Sequence, residues 1–276
     1  MVNVEVVIPA KNEQKNLPQV FAALKSQTLP PSRVIFIDDG STDGSGSYAQ
    51  QLGYNVIKTF HYPDRERGSP DLAGAFNLGF HGVSDSADYV MILAGDHVLP
   101  NNYIEQVLSF MMQRNIAMCS GTIRGESSEL PRGSGRVIQV LAWKDVMGGL
   151  QYPRAYGFET YLALKLMENG YKVSVLSSLC SETLRRTGKA TNQVYYGRGM
   201  KWLGYIPAYL IARAMLTAMR YRKPSKAIQM VAGYLTYRYK SDVAQYCAER
   251  QKYQLLNYLR SPKKLYCRML RARRRG

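Results

Sequence analysis

Several features that would narrow the function quickly are scarce or missing in this sequence. No apolar run is as long as the roughly 18 residues that a membrane-spanning helix needs. Residues 1–10 lead directly into a strand pattern. We therefore expect neither a spanning helix nor a signal peptide. The few cysteines form no CxxC pair and no metal-ligand spacing, so we expect reduced thiols in a cytosolic protein. They are Cys119, Cys180, Cys247 and Cys267.

Acidic residues are scarce in the last third of the chain. Residues 185–276 contain 22 Lys and Arg but only two acids, Asp242 and Glu249, for a net charge of +20. Residues 1–184 have a net charge of −3, so the basic character of the chain belongs to one region. This region must face an anion such as phospholipid, lipid phosphate or nucleic acid.

Two segments of the basic region have the pattern of amphipathic helices. In 205–220, Arg213, Thr217 and Arg220 share one helical face, and the other residues are mostly apolar. In 225–240, a polar stripe lies opposite an apolar one. The polar positions are Lys226, Gln229, Gly233, Thr236 and Lys240, and the apolar ones Ile228, Val231, Tyr234 and Leu235.

Three interpretations of this region stay open. Amphipathic helices with basic borders favour the interface of an anionic membrane. Interleaved Tyr and Arg would also suit a nucleic-acid surface, although no nucleic-acid-binding motif is present and we expect no such partner. In the third interpretation, the helices pack on the rest of the chain and their charges are solvated.

The first two thirds of the chain alternate short apolar strands with helical patterns, which predicts an α/β fold with a mostly parallel sheet. Val4–Ile8 and Val34–Ile37 flank a helix pattern that begins near Asn16, the arrangement of a right-handed βαβ unit. Residues 124–136, rich in Gly and Ser, predict a flexible loop. Further strands are predicted at 55–59, 89–93, 116–122 and 172–176, and helices at 72–83, 103–114 and 159–169.

Polar segments follow three of the predicted strands, at 9–13, 38–43 and 95–97. Ligands of open α/β sheets bind beyond the carboxyl ends of the strands. The charges of Asp38 and Asp39 cost free energy at the end of a buried strand unless a ligand binds to them. A base N–H, a ribose hydroxyl or a cation would each be a suitable partner for these carboxylates. The alternative is a solvated turn with local hydrogen bonds.

Residues 6–45, VVIPAKNEQKNLPQVFAALKSQTLPPSRVIFIDDGSTDGS, resemble the opening of the family-2 glycosyltransferases of GT-A fold. That family begins with an apolar strand, Pro and Asn-Glu, followed by a helix and a strand that ends in DDGSxD. The resemblance implies a Rossmann-like GT-A domain that binds a UDP- or GDP-linked sugar. From this segment it implies nucleotide-sugar contacts from Pro9, Ala10, Asn12, Glu13, Asp38, Asp39 and Ser41.

Two downstream segments continue the resemblance. AGAFNLGF at 73–80 is similar to the family's helix before the metal motif, which implies that Asn77 lies close to the donor; a helix with close-packed Gly and Ala is the alternative. In YVMILAGDHVLP at 89–100, Ala94-Gly95-Asp96 stands where the family has Asp-x-Asp. The resemblance implies that Gly95 contacts the donor and that Asp96 binds Mg²⁺ or Mn²⁺, although Ala94 replaces the first carboxylate.

The segment YGFETYLALKLMENGYKV at 156–173 is similar to the family's helix that opens with Glu-Asp. The resemblance implies that Glu159 is the catalytic base; an N-terminal helical Glu favoured by the helix dipole is the alternative. A lipid-phosphate acceptor would need no base, because its oxygen is already anionic. Arg185 and Arg186 follow a predicted strand. One of them, for which we choose Arg186, would contact the diphosphate; the alternative is that the two form a surface charge pair.

Together these features predict a GT-A domain over 1–185 and a basic helical region over 186–276 that associates with a membrane. Because several family members act on polyprenyl phosphate or lipid-linked sugars, we expect transfer of a hexose, with inversion, to a membrane-linked acceptor. The expected location is cytoplasmic, peripheral on the inner face of the cell membrane. The alternative is a glycosyltransferase-like protein that binds a nucleotide-sugar or glycan without turnover.

Overall fold

The computed structural model describes residues 2–59, 69–125, 128–185 and 192–260. Within these residues the strands are β1 Val4–Ala10, β2 Arg33–Asp39, β3 Asn55–Thr59, β4 Tyr89–Ile92, β5 His97–Val98, β6 Ile116–Ile123, β7 Arg136–Gln139 and β8 Lys172–Thr183. The helices are α1 Leu17–Lys25, α2 Ser45–Gln51, α3 Pro70–Phe80, α4 Tyr103–Arg114, α5 Val140–Met147, α6 Phe158–Glu168, α7 Gln193–Trp202, α8 Pro207–Tyr221, α9 Pro224–Thr236 and α10 Ala244–Arg260.

The described strands form one mixed sheet in the order β3-β2-β1-β4-β7-β6-β8-β5. The β3–β2, β2–β1, β1–β4 and β6–β8 pairs are parallel, and the others are antiparallel. In the β1–β2 register, Ala10 lies opposite Asp38, so the polar turns that follow both strands begin at the same edge of the sheet. The β1–β4 ladder ends at Val7, two residues before Pro9, which has no N–H to donate.

Both faces of the sheet are covered, which explains why the central strands are apolar without alternation. Val6 and Ile8 of β1 point into a core that contains side chains of α1 and α4. Val7 points the other way, into a core formed with α3, α5 and α6, in which Trp143 is fully buried. The alternation along β1 therefore divides the apolar interior into two layers.

The predicted α/β fold is confirmed, and the first βαβ unit forms where the sequence indicated. Helices α2 and α5 and strands β5 and β7 were not predicted, and α7 and α10 lie in the region that was predicted as helical without individual bounds. The described residues of 124–135 form no helix or strand, as predicted, and only Arg136, the first residue of β7, belongs to a strand. Gly135 N–H donates to the Ile92 carbonyl at 2.8 Å, and the antiparallel pairing of β7 with β4 and β6 holds the end of this loop at the sheet.

The predicted amphipathic helices form as α8 and α9, but their predicted faces are partly wrong. Gly233 is buried, whereas Ile228 and Leu235 are 68% and 70% exposed. Thr217, predicted on the polar face of α8, is also buried. The reason is the absence of a side chain at Gly233: it brings the backbone of α9 against the carbonyl of Val194 in α7, and this close contact decides which side of α9 is covered.

None of the helices in the described part of the chain is long and apolar enough to cross a membrane. The sequence is rich in Lys and Arg over 260–275, and this segment lies outside the described residues except for Arg260, which ends α10. Helix α9 packs against both α7 and α8.

Candidate functional site

The turns after β1 and β2 are tied together by hydrogen bonds. Asn12 N–H donates to Ser41 Oγ at 3.1 Å, and Thr42 N–H donates to Asn12 Oδ1 at 2.8 Å. Glu13 N–H donates to Ser45 Oγ at 2.9 Å. Asn12 has a φ of 54°, a conformation that Asn adopts more readily than most residues. The structure therefore joins the two predicted segments, 9–13 and 38–43, into one surface.

Asp38 and Asp39 are both buried, which disagrees with the alternative of a solvated turn. Asp38 Oδ1 accepts a hydrogen bond from Ser41 N–H at 2.9 Å and shapes the turn. Asp39 Oδ1 accepts one from Thr59 Oγ at 2.6 Å, which links the ends of β2 and β3. The two neighbouring carboxylates thus have different local partners, and only Asp39 is anchored to a second strand.

The turn after β4 packs against the first turn. A Cβ at Gly95 would lie 3.0 Å from Glu13 Cγ and 3.1 Å from Ala10 Cβ, so the residue at this position must be small. Glu13 and Asp96 are both buried here. Burial raises the pKa of Glu13 above its ordinary value, while hydrogen bonding from Asn16 and the charge of Arg185 favour the ionised form.

Arg185, which follows β8, lies between these two carboxylates. Its Nε donates to Asp96 Oδ2 at 2.9 Å, and its Nη2 donates to Glu13 Oε1. The Arg185 side chain is half exposed, whereas both carboxylates are buried. Arg185 thus forms ion pairs with two buried carboxylates, a contact that was not predicted.

His97, beside Asp96, has no free ring nitrogen to offer a ligand. Its Nδ1 lies 2.6 Å from Ser134 Oγ and its Nε2 lies 2.6 Å from Ser181 Oγ. Burial lowers the pKa of His97 to about 4, so the ring is neutral near pH 7. Ser134 Oγ also accepts a hydrogen bond from Ala94 N–H at 2.8 Å. His97 thus fixes the loop after β4 instead of binding a cation.

No group of three His, Cys, Asp or Glu side chains suited to a cation occurs in 2–59, 69–125, 128–185 or 192–260. A site for Mg²⁺ needs less than that, because this ion commonly takes one or two carboxylates and completes its shell with substrate phosphates and water. Asp96 Oδ1 has no hydrogen-bond partner among the described residues. Asp96 therefore fits a cation that takes a single carboxylate from the protein and its other ligands from a bound diphosphate.

Glu159 stands in the first turn of α6, beside the loop that precedes β7. A Cβ added at Gly133 would overlap with its carboxylate, so the two residues are in close contact. Buried Arg136 donates to the carbonyls of Glu159 and Arg132, each at 2.9 Å, and to that of Pro131 at 3.2 Å. This network joins the loop to the first turn of α6 and connects Glu159 to the Ser134 side of the site.

Asn77 was predicted as a site residue, but its contacts lie outside this arrangement. The Asn77 side-chain amide donates to the Tyr152 carbonyl at 2.9 Å and accepts a hydrogen bond from the Tyr152 N–H at 2.7 Å. These contacts agree with the structural alternative for Asn77, and a donor contact stays a prediction. Arg186 lies outside the described residues. Pro9, by contrast, belongs to this arrangement, because it lies near the end of β1, opposite Ile37 of β2, where the joined turns begin.

Sequence reasoning missed Ser45, Ser134 and Ser181, which hold the turns in place. Ser181 reaches His97 across 84 positions of sequence, and Ser134 reaches it across 37. Serine is common in turns and strands, and nothing in the local pattern marks these three. The pairing of β8 with β5, and of β7 with β4, brings Ser181 and Ser134 to the site, whereas Ser45 reaches it from the turn after β2.

Comparison with known proteins identifies the family. Residues 5–164, more than half of the chain, match the model of Glycosyl transferase family 2. The chain belongs to this family. The prediction of a family-2 glycosyltransferase is therefore confirmed, and the matched range includes the described site residues except Ser181 and Arg185.

Curated relatives match over part of their length. An uncharacterized glycosyltransferase of Haemophilus influenzae is 28% identical over 120 residues, 43% of this chain and 46% of the relative. Glycosyltransferase AglE of Haloferax volcanii is 28% identical over 124 residues, 44% of this chain and 39% of the relative. O-antigen chain rhamnosyltransferase WbaN of Salmonella anatum is 29% identical over 102 residues, 37% and 30% of the two chains. The match thus spans less than half of the length of each.

Solved structures share the fold at low sequence identity. Mannosyltransferase PcManGT from Pyrobaculum calidifontis, in complex with GDP-Man and Mn²⁺, has a TM-score of 0.61 at 13% identity over 99% of this chain and 85% of its own. S. aureus TarS 1-349 in complex with UDP-GlcNAc has a TM-score of 0.55 at 14% identity over 85% and 72% of the two chains. The predicted GT-A fold is confirmed by this likeness.

Proposed function

We propose that this chain is a hexosyltransferase that takes a hexose from a nucleoside-diphosphate sugar and transfers it, with inversion, to a membrane-linked acceptor. The observation that carries the proposal is the meeting of three strand ends. The turns after β1, β2 and β4 join buried carboxylates, backbone groups and one arginine at a single edge of the sheet. This is where ligands of open α/β sheets bind.

The donor nucleotide would occupy the joined turns after β1 and β2. Asp39, held by Thr59, would accept a hydrogen bond from the base or the ribose, and Pro9 and Ala10 would line the pocket. Asn12 and Ser41 would keep the two turns in register, since they bond to each other. The structural neighbours hold GDP-Man and UDP-GlcNAc, which supports a donor of the same chemical class.

A divalent cation, Mg²⁺ or Mn²⁺, belongs to the proposal. Asp96 would hold it together with the donor diphosphate, and the cation would neutralise charge on the departing nucleoside diphosphate. The PcManGT structure contains Mn²⁺, which supports this assignment. His97 is excluded as a ligand because both of its ring nitrogens contact serine hydroxyls.

Glu159 would accept the proton of an acceptor hydroxyl. Glu159 lies in the first turn of α6, contacts Gly133 and is joined through Arg136 to the loop before β7. These contacts keep its carboxylate near this loop, which also carries Ser134. The attacking oxygen needs such a base if it belongs to a hydroxyl and does not need one if it belongs to a phosphate. The effect of removing the Glu159 carboxylate therefore distinguishes the two kinds of acceptor.

The experiment measures release of nucleoside diphosphate from UDP- and GDP-sugars by the full chain, with Mn²⁺ present, in vesicles that contain polyprenyl phosphate or lipid-linked glycan. We expect Asp96→Asn to lower the rate by about 100-fold or more, because the charge that develops on the leaving group would lose its cation. Glu159→Gln should have a comparable effect with a hydroxyl acceptor only. Glu168→Gln, at the far end of the same helix, is the matched control and should leave the rate unchanged.

Tight binding of UDP or GDP without release from any sugar, in all of these mixtures, would favour the second candidate, a nucleotide-sugar-binding protein without turnover. Ala94 and Thr160 support that candidate, because they stand where the family usually has carboxylates. Wild-type rates in Asp96→Asn would contradict the cation site while leaving transfer itself in place.

The membrane side of the proposal is supported by an apolar stripe on α8. Ile211, Met215 and Met219 recur every four residues and are 59%, 61% and 59% exposed. Exposed apolar stripes of this kind mark interaction surfaces. The region from 185 to 276 also has a net charge of +20, which complements an anionic bilayer. We therefore assign the bilayer as the partner of this stripe and place the protein at the inner face of the cell membrane.

Vesicle flotation tests the assignment. We expect the full chain to float with vesicles that contain phosphatidylserine, and a variant with Ile211→Ser, Met215→Ser and Met219→Ser to float to a smaller extent, because only the contact through charge is left. Leu141→Ser removes an equally exposed apolar side chain from α5 and should float like the wild type. Flotation of the triple variant at wild-type level would contradict the assignment, and salt-sensitive retention on RNA without flotation would favour the nucleic-acid alternative.

A further inference from the structure

One guanidinium group bridges the two buried carboxylates of the candidate site. Arg185 donates from Nε to Asp96 Oδ2 and from Nη2 to Glu13 Oε1. Asp96 is the carboxylate to which the proposed cation would bind, so Arg185 already provides positive charge at that point. Arg185 opposes the effect of the Asp96 charge on Glu13, because that charge raises the pKa of Glu13 and the charge of Arg185 lowers it.

The backbone places Arg185 beside Asp96. Thr183 lies opposite His97 in the antiparallel β8–β5 pair, and Leu184 N–H donates to the carbonyl of Asp96 at 2.8 Å. The residue before Arg185 is therefore hydrogen-bonded to the residue that Arg185 neutralises. Such a double connection indicates that the contact is part of the architecture of β8 and not a chance meeting of surface side chains.

The guanidinium also has capacity for a further ligand. Arg185 is half exposed although both of its carboxylate partners are buried, so one side of the group faces outward. Its Nη1 has no partner among the residues that the structure describes. A planar guanidinium that holds carboxylates through two of its nitrogens can offer the remaining N–H groups to a phosphate oxygen.

We propose that Arg185 is a positioning residue that occupies the cation's place beside Asp96 while the site is empty and moves its contact to the diphosphate when the donor binds. A divalent cation and Arg185 then compete for Asp96 when no nucleotide is present. When the nucleoside diphosphate arrives, it draws the guanidinium toward its phosphates and leaves Asp96 to the cation. Donor and cation therefore bind cooperatively, and this inference rests on the proposed function.

The test measures binding, not turnover, for the full chain. Affinity for Mn²⁺ alone is determined by electron paramagnetic resonance of the free ion, and affinity for UDP and GDP by calorimetry, with and without Mn²⁺. We expect Arg185→Gln to tighten binding of Mn²⁺ alone by about fivefold to tenfold and to weaken binding of the nucleoside diphosphate by a similar factor, the scale of one partly exposed charge contact. The cooperativity between the two ligands should fall accordingly.

Two variants make the test specific. Arg185→Lys keeps the charge but not the fork that spans two carboxylates, so we expect it to lie between the wild type and Arg185→Gln in both affinities. Arg124→Gln removes another arginine that pairs with a residue of β8, Glu182, in an exposed position, and it should change neither affinity. Equal unfolding midpoints of the wild type and Arg185→Lys show that the comparison is made on a folded site.

Opposite changes in the two affinities support the proposal, and unchanged Mn²⁺ affinity in Arg185→Gln overturns it. Parallel weakening of both ligands also overturns it, because the arginine would then only support the shape of the site. If neither UDP nor GDP binds the wild type with or without Mn²⁺, the proposed function itself fails. That result differs from failure of the inference alone, in which nucleotide still binds.

Discussion

Arg136 is a buried cation whose protein partners are mainly carbonyl groups. It is 3% exposed and donates to the carbonyls of Pro131, Arg132 and Glu159. Removal of the guanidinium leaves these carbonyl oxygens without a donor, and each buried oxygen left unsatisfied costs about 1–3 kcal/mol. We therefore expect Arg136→Met to lower the free energy of unfolding by about 2–4 kcal/mol, as measured by urea denaturation.

The matched control for this prediction is Arg33→Gln. Arg33 also donates to a backbone carbonyl, that of Gly82 at 2.9 Å, but in an exposed position where water replaces the lost contact. We expect a change below about 0.5 kcal/mol there. Equal losses in the two variants would show that burial of the Arg136 network contributes nothing of its own.

At the residue scale, the sequence predicted those parts of the site that depend on local order. Glu13, Asp39 and Asp96 follow buried strands, and the direction of parallel strands alone brings them to one edge. The role of Arg185 could not be predicted in the same way, because its contact with Glu13 spans 172 positions. Contacts of this kind follow from strand pairing, which the sequence pattern does not specify.

At the scale of elements, helices α7 and α9 cross with backbone atoms in contact. A Cβ at Gly197 would overlap the carbonyl oxygen of Met230, and one at Gly233 would overlap that of Val194. Alanine raises helix propensity by up to about 1 kcal/mol over glycine, so substitution would stabilise an isolated helix. The overlap is with backbone atoms, so a side-chain rotation cannot relieve it. Overpacking of this kind typically costs about 1–3 kcal/mol.

We therefore expect Gly197→Ala and Gly233→Ala each to destabilise the α7–α9 pair in spite of the better propensity. Thermal unfolding followed by circular dichroism, together with the rate of limited proteolysis within 192–260, measures the effect. Gly149→Ala is the control, because a Cβ at Gly149 meets no atom within 4 Å. A higher melting temperature for Gly233→Ala would mean that α9 does not approach α7 so closely.

The same crossing explains why the amphipathic pattern of α9 was misleading. Helical periodicity assumes that apolar side chains decide which face is covered. In α9 the covered face is centred on Met230, Gly233 and Tyr234, and the glycine is what permits the approach. Ile228 and Leu235 are left on the exposed side. Helix α9 was predicted from the sequence, but α7 was not predicted individually, and the orientation of α9 depends on the contact between these two glycine-bearing helices.

At the scale of the whole molecule, charge is divided unequally along the chain. The net charge is −3 over residues 1–184 and +20 over 185–276. A protein with this division is expected to bind an anionic surface through its C-terminal third. The proposed membrane contact thus has an electrostatic part and, through the α8 stripe, an apolar part.

Salt separates these two parts. The Debye length falls from about 10 Å at 0.1 M to about 3 Å at 1 M salt, which screens the electrostatic part, whereas burial of apolar surface is not weakened by NaCl. We expect wild-type binding to phosphatidylserine vesicles to fall but persist at about 1 M NaCl. The variant with Ile211→Ser, Met215→Ser and Met219→Ser should be released completely. Complete release of the wild type at high salt would mean that the +20 region holds the bilayer by charge alone and that the exposed stripe of α8 faces something other than lipid.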